Sequence, residues 1–418
     1  MKRVIPRRTP ILRLSSFAAM AQAVFSKQSV RKGYLEFFKK NFSDYLKIDN
    51  LLGVHSARAG FYLLLRAFGL EKGDEIIMPA YNFHLLPAIA KAIGLVPKFV
   101  DIDPATYNIK TSRIEKKITP RTKVILVIHM SGLSCDLEPV LEIARKNNLK
   151  VIEDCAQSLG AEYRGKKAGS FADASFFSFD FNKNMPCFLG GIVTIRNQEI
   201  FDKAQTLLKK YSFSDWLNFL KNIATNTVLF LAMKKPLFTF FTYPLLKIFD
   251  WFGSNYIDSL THSEVMPLAK IPEFYRLPLN YIQAAVGLRQ LAELERVNQK
   301  TEKNAKLLNE KLRQTDGIKI PSSPADRRHI YLYYRLLVGE TSRFRKKLLK
   351  KGIDCLPSCM LAVSELSFLK TDNSKYPDSV RAAQGSLEIP NGPFLEKEDI
   401  IYIAEKIKEV NAEITRKV

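Results

Sequence analysis

Between about residues 50 and 200, short apolar runs rich in β-branched residues alternate with stretches of helical periodicity. Apolar runs separated by helical crossovers are typical of a mostly parallel sheet with helices on both faces. The pattern predicts strands at 75–78, 98–100, 124–128, 151–153, 175–179 and 192–195, and helices at 60–69, 85–94 and 138–147. Ligands bind at the carboxyl ends of the strands in such a sheet, so residues that directly follow a strand are the candidates for chemistry.

Four of these segments carry candidate side chains. Ser56 and Ala57 precede a helix whose free N–H groups form an anion site, with an ordinary serine cap as the alternative. Phe83 can stack on a flat ligand, although aromatic residues in such loops more often belong to the core. Asp154 ends a buried strand, where a carboxylate is costly unless it serves a cation or a protonated ring nitrogen. Lys183 is either a surface lysine or an amine that forms a Schiff base.

The order and spacing of the motifs resemble the DegT/DnrJ/EryC1/StrS family of pyridoxal-phosphate-dependent sugar aminotransferases. The matching motifs are Gly-Asp-Glu-Ile-Ile-Met-Pro (73–79), Phe-Val-Asp-Ile-Asp (99–103), Glu-Asp-Cys-Ala-Gln (153–157), Phe-Ser-Phe (177–179), Lys-Asn (183–184), Gly-Gly (190–191) and Gln-Ala-Ala (283–285). The resemblance implies an α/β enzyme of fold type I, with a mostly parallel seven-stranded sheet in a large domain and a small α+β C-terminal domain. It also implies a homodimer.

The resemblance implies a role for each matched residue. Lys183 would bind the aldehyde of pyridoxal 5'-phosphate and then move the proton at the substrate α-carbon. Asp154 would face the pyridine nitrogen and keep it protonated, because a nearby opposite charge favours the charged form. The other cofactor contacts would be Gln157 near the phenolic oxygen, Phe83 on the ring, and Ser178, Ser56, Ala57 and Arg58 at the phosphate.

Three departures from the family pattern leave the substrate open. The phosphate turn has Arg58 where the family usually has threonine, so Arg58 either pairs with the phosphate or obstructs the site. Phe188 and Leu189 stand where the family usually has Gly-Glu, and no histidine occurs between Ser358 and Leu366. The altered phosphate turn and the missing histidine motivate an alternative function, a membrane-associated scaffold or regulator with a degenerate aminotransferase fold.

The family pattern is interrupted after Lys210, and residues 211–256 hold 13 aromatic residues in 46 positions. Apolar positions recur at helical spacing, with Ser214 as a candidate cap and Pro244 as a predicted kink. Aromatic and lysine side chains on an amphipathic segment suit a membrane interface. We therefore expect 214–256 to contact the inner membrane face or a membrane glycosyltransferase. The alternative is a helical hairpin packed in the dimer interface or against the large domain.

These patterns divide the chain into four parts: a basic segment and helix (1–50), a large cofactor-binding domain (51–210), the insertion (211–272), and an interdomain helix with the small domain (273–418). In the last part we expect a helix from about 280 to 313, a strand at 331–338, and helices at 341–351 and 400–410.

The chain is strongly basic, with 64 Lys+Arg against 42 Asp+Glu and a net charge of +22. This charge suits an anionic sugar diphosphate as substrate. No nucleic-acid-binding motif accompanies it, so we expect no nucleic-acid partner. The five cysteines form no disulfide framework or metal motif, which favours a reducing, cytoplasmic compartment. No apolar run reaches the roughly 18 residues that a spanning helix needs.

Overall fold

The structure is a computed structural model that describes residues 3–7, 10–251, 267–369 and 371–416. Its α-helices are α1 Leu14–Val24, α2 Gln28–Leu46, α3 Ala57–Ala67, α4 Leu85–Ala92, α5 Leu137–Lys146, α6 Gln198–Lys209, α7 Trp216–Ala232, α8 Lys235–Leu237, α9 Tyr243–Trp251, α10 Tyr281–Leu312, α11 Thr341–Lys350, α12 Pro377–Gly385 and α13 Lys397–Thr415. Its 3-10 helices are Thr111–Arg113, Glu115–Lys117, Met130–Gly132, Glu273–Arg276, Val363–Glu365, Ser367–Leu369 and Asn373–Lys375.

The strands of the large sheet are β1 Leu51–Val54, β2 Glu75–Pro79, β4 Val96–Val100, β5 Thr122–Ile128, β6 Lys150–Asp154, β9 Ala174–Ser178 and β10 Gly191–Ile195. The remaining strands are β3 Tyr81–Asn82, β7 Glu162–Tyr163, β8 Lys166–Lys167, β11 Arg327–Arg328, β12 Tyr334–Leu337, β13 Leu356–Pro357, β14 Leu361–Ala362 and β15 Ser386–Ile389.

The large sheet has seven strands in the order β1-β10-β9-β6-β5-β2-β4. Only β10 runs against its neighbours, and the four pairs from β9 to β4 are parallel. The predicted mostly parallel, seven-stranded sheet is therefore confirmed. Six strands end at one edge of the sheet, where β10 begins, so this edge collects the segments that the sequence marks as candidates for chemistry.

Alternate residues of each strand pack on opposite faces of the sheet. Ile76 belongs to a core beneath α3 and α4, whereas Ile77 packs with α5 on the other face. Near β9 that second face is covered by α2, whose Phe42 ring lies 5.3 Å from the ring of Phe177. Both faces are therefore dry, and each fully buried aliphatic side chain stabilises the fold by roughly 1.5–3 kcal/mol. This packing fixes the strand ends that carry the site.

The C-terminal part forms a three-stranded antiparallel sheet, β12-β15-β13, which packs with α10, α11 and α13. The strand predicted at 331–338 is shorter than expected, because β12 begins only at Tyr334. Tyr331 has a left-handed backbone (φ 48°), and its ring stacks on His329 at a centroid distance of 3.8 Å. A residue in that conformation cannot continue a strand, so the chain turns before β12 starts.

The insertion forms α7, α8, a π-helical turn at Phe238–Thr242, and α9. Ser214 does not cap α7, because the residue before the helix is Asp215. Pro244 is the second residue of α9, directly after the π-helical turn, and its missing N–H accounts for the irregularity there. Residues 252–266 of the insertion lie outside the described residues. No helix in the described part of the chain has both the length and the apolar character that crossing a bilayer requires.

Candidate active site

Asp154 is the last residue of β6 and is almost fully buried. One of its carboxylate oxygens accepts the backbone N–H of Ala156 at 2.9 Å. Burial raises the pKa of Asp154 to about 6, although that hydrogen bond and the positive charge of Lys183 oppose the rise. Because the burial cost prevails, a further cation beside this carboxylate would be stabilised.

Lys183 lies in the loop that follows β9, where its backbone N–H donates to the carbonyl of Asp180 at 3.0 Å. The side chain is half-buried, and its Nζ lies 5.8 Å from the centre of the Tyr333 ring. Its charge lowers the pKa of Asp154, so the structure brings the two side chains within electrostatic range. Tyr333 comes from the loop before β12, and no sequence motif indicates its proximity to Lys183.

The start of α3 lies against the beginning of β10. A Cβ atom on Gly191 would lie 3.0 Å from the backbone nitrogen of Ala57 and 2.5 Å from the carbonyl oxygen of Phe177, so only glycine fits there. Ser178 is the cross-strand partner of Gly191, and Ser56 forms a β-bridge with Gly190. The structure therefore gathers three predicted residues, Ser56, Ala57 and Ser178, around one glycine at the amino end of an 11-residue helix.

The hydroxyl of Ser56 accepts the backbone N–H of Ala59 at 3.2 Å, so this side chain is an ordinary N-cap. The cap uses one of the four N–H groups that a helix start leaves without intrahelical partners. An anion at this turn would therefore be bound by the backbone more than by the Ser56 side chain.

Arg58 forms a side-chain hydrogen bond with Tyr275 and faces His55. His55 Nε2 lies 3.5 Å from an Asp215 carboxylate oxygen, which joins this turn to the start of α7. Burial lowers the pKa of His55, and Asp215 opposes that shift. The guanidinium is thus held by protein groups. The sequence missed these partners, although His55 directly precedes the turn.

Gln157 and Phe83 contact protein groups other than Asp154 and Lys183. The Gln157 carbonyl oxygen accepts the backbone N–H of Ser131 at 2.9 Å. The Phe83 ring lies 4.8 Å from the ring of His84 and packs at the margin of the core beneath α3. The roles that the family resemblance implies for these two side chains remain predictions.

A buried cluster of His129, Glu153 and Cys155 adjoins Asp154, with ligand atoms within 4.8 Å of one another. His129 Nδ1 accepts the backbone N–H of Cys135, so Nε2 carries the proton and donates it to Glu153 at 2.9 Å. Glu153 also accepts the backbone N–H groups of residues 169, 171 and 172. These bonds occupy the carboxylate, so the cluster is a structural network that fixes the end of β6.

Phe188 and Leu189 depart from the family pattern and have left-handed backbones, with φ angles of 59° and 91°. Such conformations cost about 1–3 kcal/mol for a residue with a side chain. The Phe188 ring offsets part of this cost, because it is buried 5.7 Å from the ring of Phe17. At Phe188 and Leu189, the loop between Lys183 and β10 therefore adopts a backbone conformation that glycine would adopt without strain.

A cavity of about 430 Å³ lies beside Lys183, between the large sheet's edge, the C-terminal sheet and the insertion. Lys183 is the one predicted site residue that lines it; Asp154, Gln157, Ser178, Phe83, Ser56, Ala57 and Arg58 do not. The lining is mostly apolar and consists of Arg7, Pro10, Ile11, Phe181, Asn182, Lys183, Asn184, Leu229, Met233, Asn298, Thr301, Ile330, Leu332, Tyr333, Leu356, Pro357, Cys359, Glu388, Ile389, Asn391, Gly392 and Pro393.

Known proteins resemble this chain over nearly its whole length. The profile of the DegT/DnrJ/EryC1/StrS aminotransferase family matches residues 13–229 and 268–408. The GDP-perosamine synthase of Escherichia coli O157:H7 is 27% identical over 384 residues, which are 91% of each chain. The dTDP-3-amino-3,6-dideoxy-alpha-D-galactopyranose transaminase of Aneurinibacillus thermoaerophilus is 26% identical over 391 residues, 93% of each.

The fold is also that of solved aminotransferases. The aminotransferase TlmJ from Streptoalloteichus hindustanus superposes with a TM-score of 0.76 at 21% identity, covering 99% of this chain and 100% of that one. The family profile leaves residues 230–267 unmatched, which is a narrower gap than the insertion predicted at 211–272.

Proposed function

The chain belongs to the DegT/DnrJ/EryC1/StrS aminotransferase family, and we propose that it transfers the amino group of glutamate to a keto-sugar carried on a diphosphate. It is a pyridoxal-5'-phosphate-dependent sugar aminotransferase, and its relatives include enzymes named as a perosamine synthase and an aminosugar transaminase. The related spore coat protein of Bacillus subtilis is named for polysaccharide biosynthesis, which is the pathway class we propose. These relatives do not favour the alternative of a scaffold without activity.

The observation that carries the proposal is that Lys183 lies within electrostatic range of the buried Asp154 at the carboxyl edge of the sheet. The residues fit pyridoxal 5'-phosphate, because Asp154 favours a cation beside it and the Gly191 cradle leaves helix N–H groups for a phosphate. When bound, the cofactor supplies an electron sink for the carbon that gains or loses the amino group.

The chain's own residues would bind the cofactor and move the proton. Asp154 would hold the proton of the pyridine nitrogen, since an ionised carboxylate stabilises a neighbouring cation. Lys183 would hold the cofactor covalently through its amine and move the proton at the substrate α-carbon. Ser178 and the start of α3 would bind the phosphate. We also propose a homodimer, as the family resemblance implies.

Incubation of the cofactor-loaded protein with glutamate is expected to release one equivalent of 2-oxoglutarate per active site, without any sugar present. With nitrogen-labelled glutamate, the label should then appear in a keto-sugar from a panel of nucleotide-linked and short isoprenoid-linked acceptors, as read by mass spectrometry. Aspartate and alanine serve as comparison donors. Failure to release the keto acid from any amino donor would contradict the proposed activity.

We further propose that the insertion docks on the inner, anionic face of a membrane. On α7, one stripe formed by Phe219, Asn226 and Phe230 is buried. The opposite stripe of α7 is apolar yet exposed, and exposed apolar side chains continue along α8, the π-helical turn and α9. These exposed residues are Leu217, Leu220, Val228, Leu231, Leu237, Phe240, Phe241, Leu245 and Ile248. Exposed Lys221 and Lys247 stand among them. Apolar side chains beside lysines match an anionic lipid surface, which attracts basic residues by about 1 kcal/mol each.

The full chain is expected to float with vesicles that contain phosphatidylglycerol, and less with neutral vesicles. Phe241, which is 69% exposed, would insert its ring, so Phe241→Glu should lower the vesicle-bound fraction by about tenfold. Val96→Glu is the matched control, because Val96 is an exposed apolar residue on β4, the sheet edge opposite β1. Equal flotation of all three proteins would refute the docking proposal.

A further inference from the structure

The cavity beside Lys183 has a mostly apolar lining. We propose that it accepts a sugar diphosphate attached to a long, isoprenoid-like hydrocarbon chain, in preference to one attached to a nucleotide. This inference rests on the proposed aminotransferase function and names the carrier of its substrate. Three observations support it: the apolar walls, an unsatisfied polar atom within them, and the continuity of one wall with the exposed face of the insertion.

These apolar walls come from three separate parts of the chain. Pro10 and Ile11 precede α1, Leu229 and Met233 belong to α7 and its end, and Leu356 begins β13. A volume of about 430 Å³ is in the range of sites that enclose a small-molecule ligand. Apolar walls of this kind favour the binding of a hydrocarbon, whereas a nucleobase needs several polar groups placed against its edge.

Several polar residues of the lining already bond to protein. The Asn184 amide nitrogen donates to Asn298 and to the carbonyl of Leu159, and Thr301 donates to the carbonyl of Val297. Asn391 differs, because its side-chain oxygen is buried and has no hydrogen-bond partner among the described residues. A buried acceptor of this kind suits one hydroxyl of a sugar, which would satisfy it.

One wall of the cavity is also part of the surface. Leu229 lines the cavity and is still 37% exposed, and it directly follows Val228, which belongs to the exposed apolar stripe of α7. A hydrocarbon chain that leaves the cavity past Leu229 would therefore meet further apolar side chains. A nucleotide leaving by the same path would place polar groups against them, which is unfavourable.

The charges at the cavity suit a diphosphate. Lys183, Arg7 and Glu388 line it. Arg7 is held in place by Asp354 at 2.6 Å, and Glu388 pairs with Arg335 at 3.3 Å. Lys234 follows the lining residue Met233, and its Nζ lies 5.7 Å from the ring of Phe394, which follows the lining residue Pro393. Cations at the wall and rim would attract the diphosphate that joins sugar and carrier.

The test measures binding of carrier diphosphates to the full, cofactor-loaded chain by titration calorimetry, with farnesyl diphosphate, geranyl diphosphate, GDP and dTDP as probes. Farnesyl diphosphate is expected to bind at least about tenfold more tightly than either nucleotide, with geranyl diphosphate in between, because affinity follows buried hydrocarbon. A Leu229→Ser, Met233→Ser double variant should lose about tenfold for farnesyl diphosphate and little for GDP. Val96→Ser is the matched control, since Val96 is an exposed apolar residue on β4 and does not line the cavity.

Tighter or equal binding of GDP or dTDP would overturn the inference, as would unchanged farnesyl diphosphate binding in a double variant whose melting temperature matches the parent chain. Neither result depends on catalysis. Release of 2-oxoglutarate from glutamate, measured on the same preparations, reports the aminotransferase function separately. A chain that releases the keto acid but prefers nucleotides would keep its function and lose only the proposed carrier.

Discussion

Replacement of Lys183 by alanine is expected to abolish amino transfer, lowering kcat by at least about four orders of magnitude. The side chain would both hold the cofactor and move the proton at the substrate carbon, so its loss removes two functions that act in the same turnover. The bound cofactor of the parent chain should colour the purified protein, and the variant's visible spectrum should lack that feature. Keto-acid release from glutamate and the visible spectrum together measure the effect.

Two further variants test whether the reactive amine of Lys183, and not only its positive charge, is required. Lys183→Arg keeps a cation near Asp154 but has no amine that can bond to an aldehyde, so it should be as inactive as the alanine variant. Lys210→Ala, at the end of α6, removes a lysine outside the site and should retain normal turnover. Retention of more than about a tenth of the parent activity in Lys183→Ala would contradict the assignment, since a covalent lysine is not replaceable by solvent.

The large sheet could be predicted from the sequence because its central strands are buried on both faces. Ile125 and Leu126 lie in the uninterrupted apolar run at 124–128, which neither a surface strand nor a loop would carry. The edge strand β1 was not predicted, since four residues that include Gly53 give no periodic signal. The sequence predicts a strand at 331–338, but the left-handed backbone of Tyr331, whose ring stacks on His329, delays the start of β12 to Tyr334.

The sequence predicts the parts of the candidate site whose positions depend on where individual strands end. Asp154 ends β6 and Lys183 follows β9, and both strands end at the same edge, so the proximity of their charges follows from the topology. The sequence does not decide between the two roles considered for Arg58, because its partner Tyr275 lies far along the chain, beyond the insertion. The sequence alone offered no way to see that contact. The sequence likewise does not predict the hydrogen bond between His129 and Glu153, although this bond helps to fix the strand that presents Asp154.

Asp154→Asn is expected to lower kcat about a thousandfold, because an amide cannot stabilise a protonated ring nitrogen as a carboxylate does. The parent and the variant should both fold, since asparagine retains the size of aspartate and an oxygen that can accept the N–H of Ala156. The measurement is steady-state transfer from glutamate at saturating cofactor. Asp173→Asn serves as a control, as Asp173 pairs with Lys150 away from the site. Near-normal turnover of Asp154→Asn would remove Asp154 from the mechanism.

The same substitution should stabilise the cofactor-free protein, and the pH dependence identifies the cause. The folded-state pKa of Asp154 is about 6, above its ordinary value of 3.8, so the folded chain binds the proton more tightly than the unfolded chain does. Stability is therefore highest below about pH 4, falls as the pH rises towards about 6, and is flat above about 7. Since a tenfold change in proton affinity corresponds to about 1.4 kcal/mol, burying the ionised carboxylate costs up to about 3 kcal/mol.

Asparagine carries no such cost, so in urea unfolding without cofactor the advantage of Asp154→Asn should grow between about pH 4 and 7 and then stay constant at about 1–3 kcal/mol. Added pyridoxal 5'-phosphate should stabilise the parent chain more than the variant, because only the carboxylate gains a cationic partner. An advantage that does not change with pH would mean that the substitution acts through packing. In that case the buried charge of Asp154 would not be what the cofactor relieves.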